Sequence, residues 1–407
     1  MNDYTTAAMS GIWSQQNALD LWRSVELEVL RAQVALGHIP DHWLAEAENT
    51  PTPLVEEWAA ATLRSGHEVV GFLESWGVEH AHIGLTSSDI TDTALGLRMR
   101  DATTLLVDSF GDLMVLLDRL AFDHAETPRL GRTHGQAAAS STYGHLFAYW
   151  ARGAERCVEA LWGARAGVAI CKISGPVGTY LHVSQDVERS AAAALGLTPT
   201  AVSTQIYMRD GLAYWAGVVG VAASFVEAVA LELRLLAHEA LGEAADVGGS
   251  SSSAMAHKLN PNRLERVCGL ARVVRSGYEP IAAGVAQWHD RDMAHSSVER
   301  TYLPLMSGNL HYAVESVTEI LLSLHIDEHR TQKAIHANRG EITTHSIQTA
   351  LQLAGYSHLE AQRHTREIWV TGHAAEPWDQ LVALGADHYY SSPKPTTPNP
   401  EEIRWTR

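Results

Sequence analysis

The segment Leu212–Leu236 constrains the fold most, because it is apolar on nearly every side of a helix. Its only charged residues are Glu227, Glu232 and Arg234. A membrane span needs about 20 predominantly apolar residues, whereas the run before Glu227 is shorter and contains two glycines and a serine. The pattern therefore favours a helix buried in a large bundle. A helix that is apolar all round also predicts that several chains bury it together.

Helical periodicity dominates the rest of the chain. Five large apolar residues at spacings of four and three define one face of a helix: Leu106, Phe110, Leu113, Leu117 and Leu120. No alternating pattern typical of a strand is found. We therefore predict an all-α fold of three helical domains, with an N-terminal domain over 1–93, a central bundle of long helices over 94–325 and a C-terminal domain over 326–407. The last domain ends in a proline-rich tail, which we expect to be extended.

Composition and charge exclude several classes of protein. The apolar fraction of 46% and the charged fraction of 19% are typical of a folded globular chain and not of a disordered one. The formal net charge of −17 disfavours nucleic acid as a partner, because such binding depends on the neutralisation of phosphates. A small anionic substrate can still bind in a locally positive pocket.

Cysteine usage and the N-terminus predict a reducing, cytoplasmic location. Cys157, Cys171 and Cys268 are far apart and show no CxxC spacing, which predicts neither a disulfide framework nor a thiolate zinc site. No basic region followed by an apolar run opens the chain, so we expect no signal peptide. The 22 histidines are scattered, and the HExxH motif, the GxxxxGK phosphate loop and a GxGxxG in a βαβ context are all absent, so we predict no catalytic metal.

Four polar segments rich in Gly, Ser and Thr interrupt the helical pattern. Each alone is typical of a loop whose hydroxyl groups cap helix ends. Together they supply hydroxyls, amides, imidazoles and cations, which favours the parts of one anion-binding site. The segments are Gly84–Asp89 with His82 just before it, Gly131–Gln136, Lys172–Gly178 and Gly248–Pro261.

The lysines support this interpretation. Only four of the 30 lysines and arginines are lysines, and two of the four, Lys172 and Lys258, lie inside these segments. A lysine supplies a compact point charge, whereas an arginine supplies a planar fork, so the lysines favour a point charge in these segments. A bias in composition alone also places two of the four lysines there.

The fourth segment has the composition of a mobile loop. Gly248 and Gly249 permit unusual backbone conformations and the serines after them bury little, so we expect a loop that closes over a substrate. Ser252 lies six residues before Lys258. It is a candidate base, because a nearby ammonium favours the ionised form of a serine.

These segments together resemble the fumarase/aspartase superfamily, and most closely its adenylosuccinate lyase group. Ser252–Arg266 is similar to the signature SSAMPHKxNPxxxER, with Ala256 in place of the usual proline. Five further motifs occur in the order that the family has them: Thr86–Ala94, Gly131–Gly135, Lys172–Tyr180, Ser203–Gln205 and Trp288–Arg300.

The resemblance implies three mostly helical domains whose long central bundle assembles a homotetramer. In such enzymes each active site forms where motifs from three subunits meet. The implied reaction is β-elimination of an amine from a succinyl group, with release of fumarate and without a cofactor. The implied partner is a small-molecule succinyl substrate, with no nucleic acid and no membrane.

The resemblance also assigns roles to residues. Ser252 would take the Cβ proton and His134 would protonate the departing nitrogen, while Lys258 and His67 complete the implied catalytic set. This chemistry needs cations and oriented donors that stabilise the aci-carboxylate, and a poor leaving group needs a general acid. The implied substrate-binding residues are His82, Thr86, Ser87, Ser88, Thr133, Gln205, Asn260, Arg291, Ser296 and Arg300, of which the last three match the phosphate-binding trio of the group.

The chain departs from the group around the leaving group. It has Asp3-Tyr4 where the group usually opens with Arg-Tyr, and Ala137–Ala139 where a histidine and a carboxylate usually follow GRTHG. Asp290 replaces the usual glutamate of the WHER motif. Adenylosuccinate is the default substrate, and the alternative is the same elimination from a small, specialised N-substituted succinate. His134 argues against a carboxymuconate-type cycloisomerase, and the retained catalytic set argues against a silent scaffold.

Overall fold

The computed structural model describes residues 4–371, apart from residues 249, 252–254, 256 and 258. Asp3, Ser252, Lys258 and the proline-rich tail lie outside the described residues. Helices make up most of what is described, so the predicted all-α fold class is confirmed.

The helices range from one turn and a half to more than ten turns. They are α1 Ala7–Trp13, α2 Gln15–Ala35, α3 Asp41–Asn49, α4 Val55–Ser65, α5 Glu68–Trp76, α6 Ser87–Asp123, α7 Tyr143–Val168, α8 Gln185–Leu195, α9 Asp210–Leu236, α10 Asn262–Ser276, α11 Tyr278–Ala283, α12 Ala294–Leu322, α13 Glu328–Ala337, α14 Arg339–Leu353 and α15 His358–Thr371. The short strands are β1 Pro128–Thr133, β2 Gln136–Thr142, β3 Ile170–Cys171, β4 Thr198–Pro199, β5 Ala244–Asp246, β6 Ser250–Ser251, β7 Leu259–Asn260 and β8 Leu324–Ile326.

The chain divides into two compact units, each built from three separate stretches. The first unit comprises 1–112, 154–231 and 262–319, and the second comprises 113–153, 232–261 and 320–407. The three-domain division at residues 93 and 325 is a different partition of the chain and stays a prediction.

An aromatic and aliphatic core holds the N-terminal helices of the first unit to the start of α6. Trp22 of α2 meets Phe72 of α5 edge to face at 5.6 Å, and Phe72 stacks on Trp76 at 5.5 Å. Ile90 and Leu97 of α6 belong to the same buried cluster. Packing of this kind fixes the first turns of α6, where the predicted Thr-Ser-Ser motif lies.

Helix α9 has one buried and one exposed apolar side. Trp215, Val219 and Val226 are buried, and the Trp215 indole donates to the Thr103 hydroxyl of α6 at 2.8 Å. Tyr214 and Val221 are exposed. By length and composition α9 could cross a membrane, but half of its most apolar window is buried inside the protein. This is the arrangement of a core helix, as the sequence predicts.

The second unit contains a hairpin that the sequence pattern does not reveal. Strands β1 and β2 pair antiparallel, with a bulge between Gly131 and Arg132. Small residues fill β2, including Ala137–Ala139, so the strand lacks the alternating β-branched and aromatic residues by which a strand is recognised. Helices α13 and α14 pack against this hairpin.

Candidate active site

A capping interaction starts α6 at the predicted Thr-Ser-Ser motif. The backbone N–H of Thr86 donates to Asp89 Oδ2 at 2.7 Å, which is one half of a capping box. Ser87 and Ser88 form the first turn, and Ser88 is fully buried. Both hydroxyls therefore lie at the positive end of a long helix, where anions are stabilised.

Asp89 and Lys172 form an ion pair that is fully buried on both sides. Lys172 Nζ lies 2.6 Å from Asp89 Oδ1 and donates to the Gly175 carbonyl at 2.7 Å. Asp89 Oδ1 also accepts from the backbone N–H groups of Ser174 and Gly175. The compact ammonium expected from the sequence is thus used to hold the segment Lys172–Gly178 against α6, and its charge is neutralised inside the protein.

The segment Lys172–Gly178 in turn positions the Ser-Thr-Gln motif. Ser174 and Ser203 share a hydrogen bond of 2.7 Å between their hydroxyls. Gly178 has φ of +74°, and a Cβ at this position would lie 2.0 Å from the Ser203 carbonyl oxygen. Only glycine fits such a close approach, so this contact fixes the backbone that leads to Gln205.

Arg291 joins three of the predicted motifs. Its Nη1 donates to Ser88 Oγ at 2.6 Å and to Gln205 Oε1 at 3.1 Å. Nearby, Thr204 donates to the Asp290 carbonyl at 2.7 Å, which ties the Trp288–Arg300 motif to the Ser-Thr-Gln motif. Arg291 Nε is buried and has no hydrogen-bond partner among the described residues. A buried donor of this kind is costly unless a ligand satisfies it.

A second arginine, Arg209, fixes α12 to α6 from inside. It donates to both Asp92 oxygens at 2.8 and 2.9 Å and to Glu299 Oε1 at 2.8 Å, and it lies over the Tyr207 ring at 4.5 Å. Burial, with a smaller contribution from the negative charge of Asp92, raises the pKa of Glu299 to about 7 against the opposing effect of Arg209. The sequence analysis missed this cluster, because no spacing rule links residues from three distant segments.

His295 is the second group of α12 that the sequence analysis missed. It is buried, and its Nδ1 has no hydrogen-bond partner among the described residues. Burial, together with the positive charges of Arg209 and Arg291, lowers its pKa to about 4. His295 is therefore neutral at physiological pH.

The two predicted histidines of the first unit have different tautomers. His82, at φ +64°, places Nδ1 2.7 Å from the buried Glu26 carboxylate, so Nδ1 carries a proton and Nε2 is the outward nitrogen. His67 caps α5, and its Nδ1 accepts from the backbone N–H groups of Val69 and Val70. The proton of His67 is therefore on Nε2.

Arg300 and Ser296 lie in the first two turns of α12. Ser296 is half-buried, and Arg300 is exposed and paired with Glu68 of α5 at 2.6 and 2.5 Å. The hydrogen bonds from Arg300 lower the pKa of Glu68. Ser88, Gln205 and Arg291 thus lie together by direct contacts, and Thr86 starts the same helix as Ser88. Arg300 is engaged elsewhere in the same unit.

The remaining predicted residues belong to the second unit. His134 and Gly135 form the two-residue turn of the β1–β2 hairpin with φ of +55° and +76°, the combination of a type I′ turn. Thr133 precedes this turn, and Thr133 and His134 are both exposed. Asn260 lies in β7 and is half-buried. Histidine is one of the few residues other than glycine that are enriched at positive φ, so His134 fits this turn.

Comparisons with known proteins identify the family. The sequence model of a family described as Lyase matches residues 42–276. The adenylosuccinate lyase of Aquifex aeolicus is 37% identical over 90% of this chain and 87% of its own length. The adenylosuccinate lyase of Thermotoga maritima is 33% identical over 90% of this chain and 88% of its own. The chain belongs to this lyase family.

Solved structures agree on the fold of this lyase. A fumarate lyase from a Mesorhizobium species superposes with a TM-score of 0.83 at 22% identity, covering 95% of this chain and 92% of the other. A β-carboxy-cis,cis-muconate cycloisomerase from Acinetobacter calcoaceticus superposes with a TM-score of 0.81 at 20% identity, covering 98% of this chain and 95% of the other. These two likenesses show the fold alone. The more similar relatives make the chain a member of the adenylosuccinate lyase group, a carbon–nitrogen lyase that releases fumarate.

The described part of the lyase holds no group of three metal-ligating side chains that could bind a metal ion. Its three cysteines are free and buried, and burial raises the pKa of Cys157 and Cys171 to about 12. These two thiols are therefore protonated and unreactive at neutral pH. The chemistry of the described site rests on hydroxyl, amide, imidazole and guanidinium groups.

Proposed function

We propose that this lyase cleaves adenylosuccinate into AMP and fumarate, and the analogous succinyl-carboxamide ribotide of purine synthesis in the same way. The observation that supports this most is Arg291, whose half-buried side chain joins Ser88 and Gln205 and keeps its buried Nε without a partner in the described structure. A guanidinium beside the first turn of a helix suits the phosphate of a nucleotide, the role that the family resemblance implies for Arg291.

The elimination follows from the residue types. Ser252 removes the Cβ proton. The second negative charge that develops on the neighbouring carboxylate is stabilised by Lys258 and Asn260, aided by the hydroxyls of Thr86, Ser87 and Ser88. His134 gives a proton to the nitrogen as the bond from nitrogen to Cα breaks, so the product is a neutral amine beside fumarate. These roles are carried over from the family resemblance, and Ser252 and Lys258 lie outside the described residues.

We propose that the lyase is a cytoplasmic homotetramer with active sites shared between subunits. We also propose that each chain has the three domains predicted from the sequence, over 1–93, 94–325 and 326–407. The exposed apolar residues of α9, which include Tyr214, Val221 and Leu231, support burial against further copies of the chain. Mixing inactive Ser252→Ala protein with inactive His134→Ala protein tests the shared site. Recovery of part of the activity supports the proposal, because some hybrid sites then contain neither lesion, and an active protein that sediments as a monomer contradicts it.

A small N-substituted succinate is the second candidate substrate. It is favoured by Ala137–Ala139 of β2 in place of a histidine and a carboxylate, and by the ion pair that occupies Arg300. Elimination from such a substrate needs the same base and acid but no phosphate site.

Fumarate release, followed by absorbance, distinguishes the candidates. A wild-type kcat/KM for adenylosuccinate of about 10⁴ M⁻¹s⁻¹ or more is ordinary for an enzyme acting on its own substrate and supports the first proposal. Undetectable turnover of adenylosuccinate, beside rapid fumarate release from a smaller adduct, contradicts it. Arg291→Ala, with Arg64→Ala as a surface control, is expected to lower kcat/KM by at least ~10-fold, because a charged hydrogen bond to substrate contributes about 1.5–3 kcal/mol.

A further inference from the structure

Arg300 is fully engaged by a carboxylate of its own chain. Its Nη1 and Nη2 donate to Glu68 Oε1 and Oε2 at 2.6 and 2.5 Å, a bidentate arrangement that also suits phosphate. The two side chains are partly exposed, with 59% and 37% of their surfaces accessible. Solvent and solutes can therefore reach this ion pair.

Both members of the pair are held in place by helices. Glu68 is the first residue of α5, its backbone carbonyl accepts from the Trp58 indole at 3.0 Å, and the preceding His67 caps the same helix. Arg300 lies in the second turn of α12. The carboxylate is therefore presented to the guanidinium by a fixed backbone, and it is available whenever no other anion occupies Arg300.

A third charged group, Arg98, makes the surroundings cationic. Arg98 donates through Nε to the Ile12 carbonyl at 3.0 Å and lies over the Trp13 ring at 4.6 Å. None of the ion pairs among the described residues includes Arg98. Burial and the nearby positive charge of Arg300 lower its pKa to about 10. Glu68 thus pairs with a guanidinium, Arg300, that has a second guanidinium near it.

We infer that Glu68 is a specificity-determining residue, which competes with the phosphate of the leaving group for Arg300. The inference rests on the proposed nucleotide substrate, and it adds a residue that works against phosphate binding. A phosphate that enters must displace the Glu68 carboxylate or lie beside it, and either case weakens binding. The ion pair therefore favours leaving groups that lack a phosphate.

Direct binding of AMP and of adenosine to the whole enzyme tests this inference by titration calorimetry. The ratio of the two dissociation constants isolates the phosphate, because the nucleoside is common to both ligands. In Glu68→Gln the preference for AMP over adenosine is expected to rise about fivefold, the upper end of what an exposed ion pair contributes. Glu68→Asp keeps the charge on a shorter side chain. Its preference for AMP over adenosine is expected to lie between those of the wild type and Glu68→Gln.

Glu74→Gln is the matched control, because Glu74 lies on the same helix and pairs with Arg64 at 2.7 Å with similar exposure. Its ratio is expected to equal that of the wild type. An unchanged ratio in Glu68→Gln, or no binding of AMP to either protein, overturns the inference. If adenylosuccinate is not turned over but Glu68→Gln raises the preference for AMP over adenosine, only the proposed function is contradicted. If adenylosuccinate is turned over normally and this preference is unchanged in Glu68→Gln, only the inference is contradicted.

Discussion

Replacing Lys172 by methionine should destabilise the protein strongly. Lys172 and Asp89 have no exposed side-chain surface, and their charged atoms are 2.6 Å apart. Removing one partner of a buried ion pair costs about 3–5 kcal/mol, because the other charge is left without compensation. In Lys172→Met the carboxylate keeps its bonds from the backbone N–H groups of Thr86, Ser174 and Gly175. We therefore expect the free energy of unfolding to fall by about 3 kcal/mol, the lower limit of that range.

Asp89→Leu should cost more than Lys172→Met. It leaves the ammonium with the Gly175 carbonyl as its described acceptor and leaves three backbone donors without the carboxylate. We expect a loss near the upper limit of about 5 kcal/mol. The double variant should lose less than the sum of the two, since it contains no uncompensated buried charge.

Equilibrium unfolding in urea measures these losses. Fluorescence and circular dichroism must give coincident transitions, and all variants must be compared at one protein concentration, because assembly changes the apparent stability. A loss below about 1 kcal/mol in Lys172→Met would refute the reasoning, since the three backbone donors would then suffice for the carboxylate. A larger loss in Lys172→Met than in Asp89→Leu would refute the expected order.

Three further substitutions test other parts of the structure. His134→Gly removes the cost of a side chain in the left-handed backbone region and should raise the free energy of unfolding by about 1 kcal/mol. Fumarate release should fall at least ~10²-fold because the general acid is lost, and full activity would contradict the role of His134. Burial raises the pKa of Glu299 to about 7, so the wild type loses stability as the pH rises from about 5 to 8 and this carboxyl ionises in the folded protein. Glu299→Gln lacks this carboxyl and should gain stability relative to the wild type over the same range. Urea unfolding at several pH values measures the difference, and parallel pH profiles of the two proteins would contradict the prediction. Gly178→Ala should cost at least about 2 kcal/mol, because of its positive φ and the close Ser203 carbonyl, and an unchanged thermal midpoint would contradict this.

The sequence predicts the fold class well because the helices of this chain are long and strongly apolar on one side. Their pattern repeats over many turns, as in α6 and α9, and tertiary contacts do not override it. The β1–β2 hairpin is different, since its strands are short and rich in alanine and serine. Its pairing depends on the turn at His134 and on the helices that pack against it, and neither is visible in a local pattern.

The candidate site was predictable where one short motif supplies the chemistry. Thr86, Ser88, Gln205 and Arg291 lie in motifs that the sequence reveals, and the structure places them in contact or in adjacent turns. The interactions that hold these motifs together were not predictable. Arg209, for example, lies 117 residues from Asp92 and 90 residues from Glu299 along the chain, and only the folded backbone makes them neighbours.

The discontinuous construction of the first unit has a consequence for how the protein is synthesised. Asp92, Arg209 and Glu299 come from the three separate stretches of this unit, so the cluster is completed only after α12 has left the ribosome. Until then a growing chain holds Arg209 without Glu299, and Ser88 without Arg291. The contacts of Arg291 with Ser88 and Gln205 are therefore among the last parts of the first unit to assemble, and a nascent chain that stops before Arg291 contains most of the preceding helices but none of these contacts.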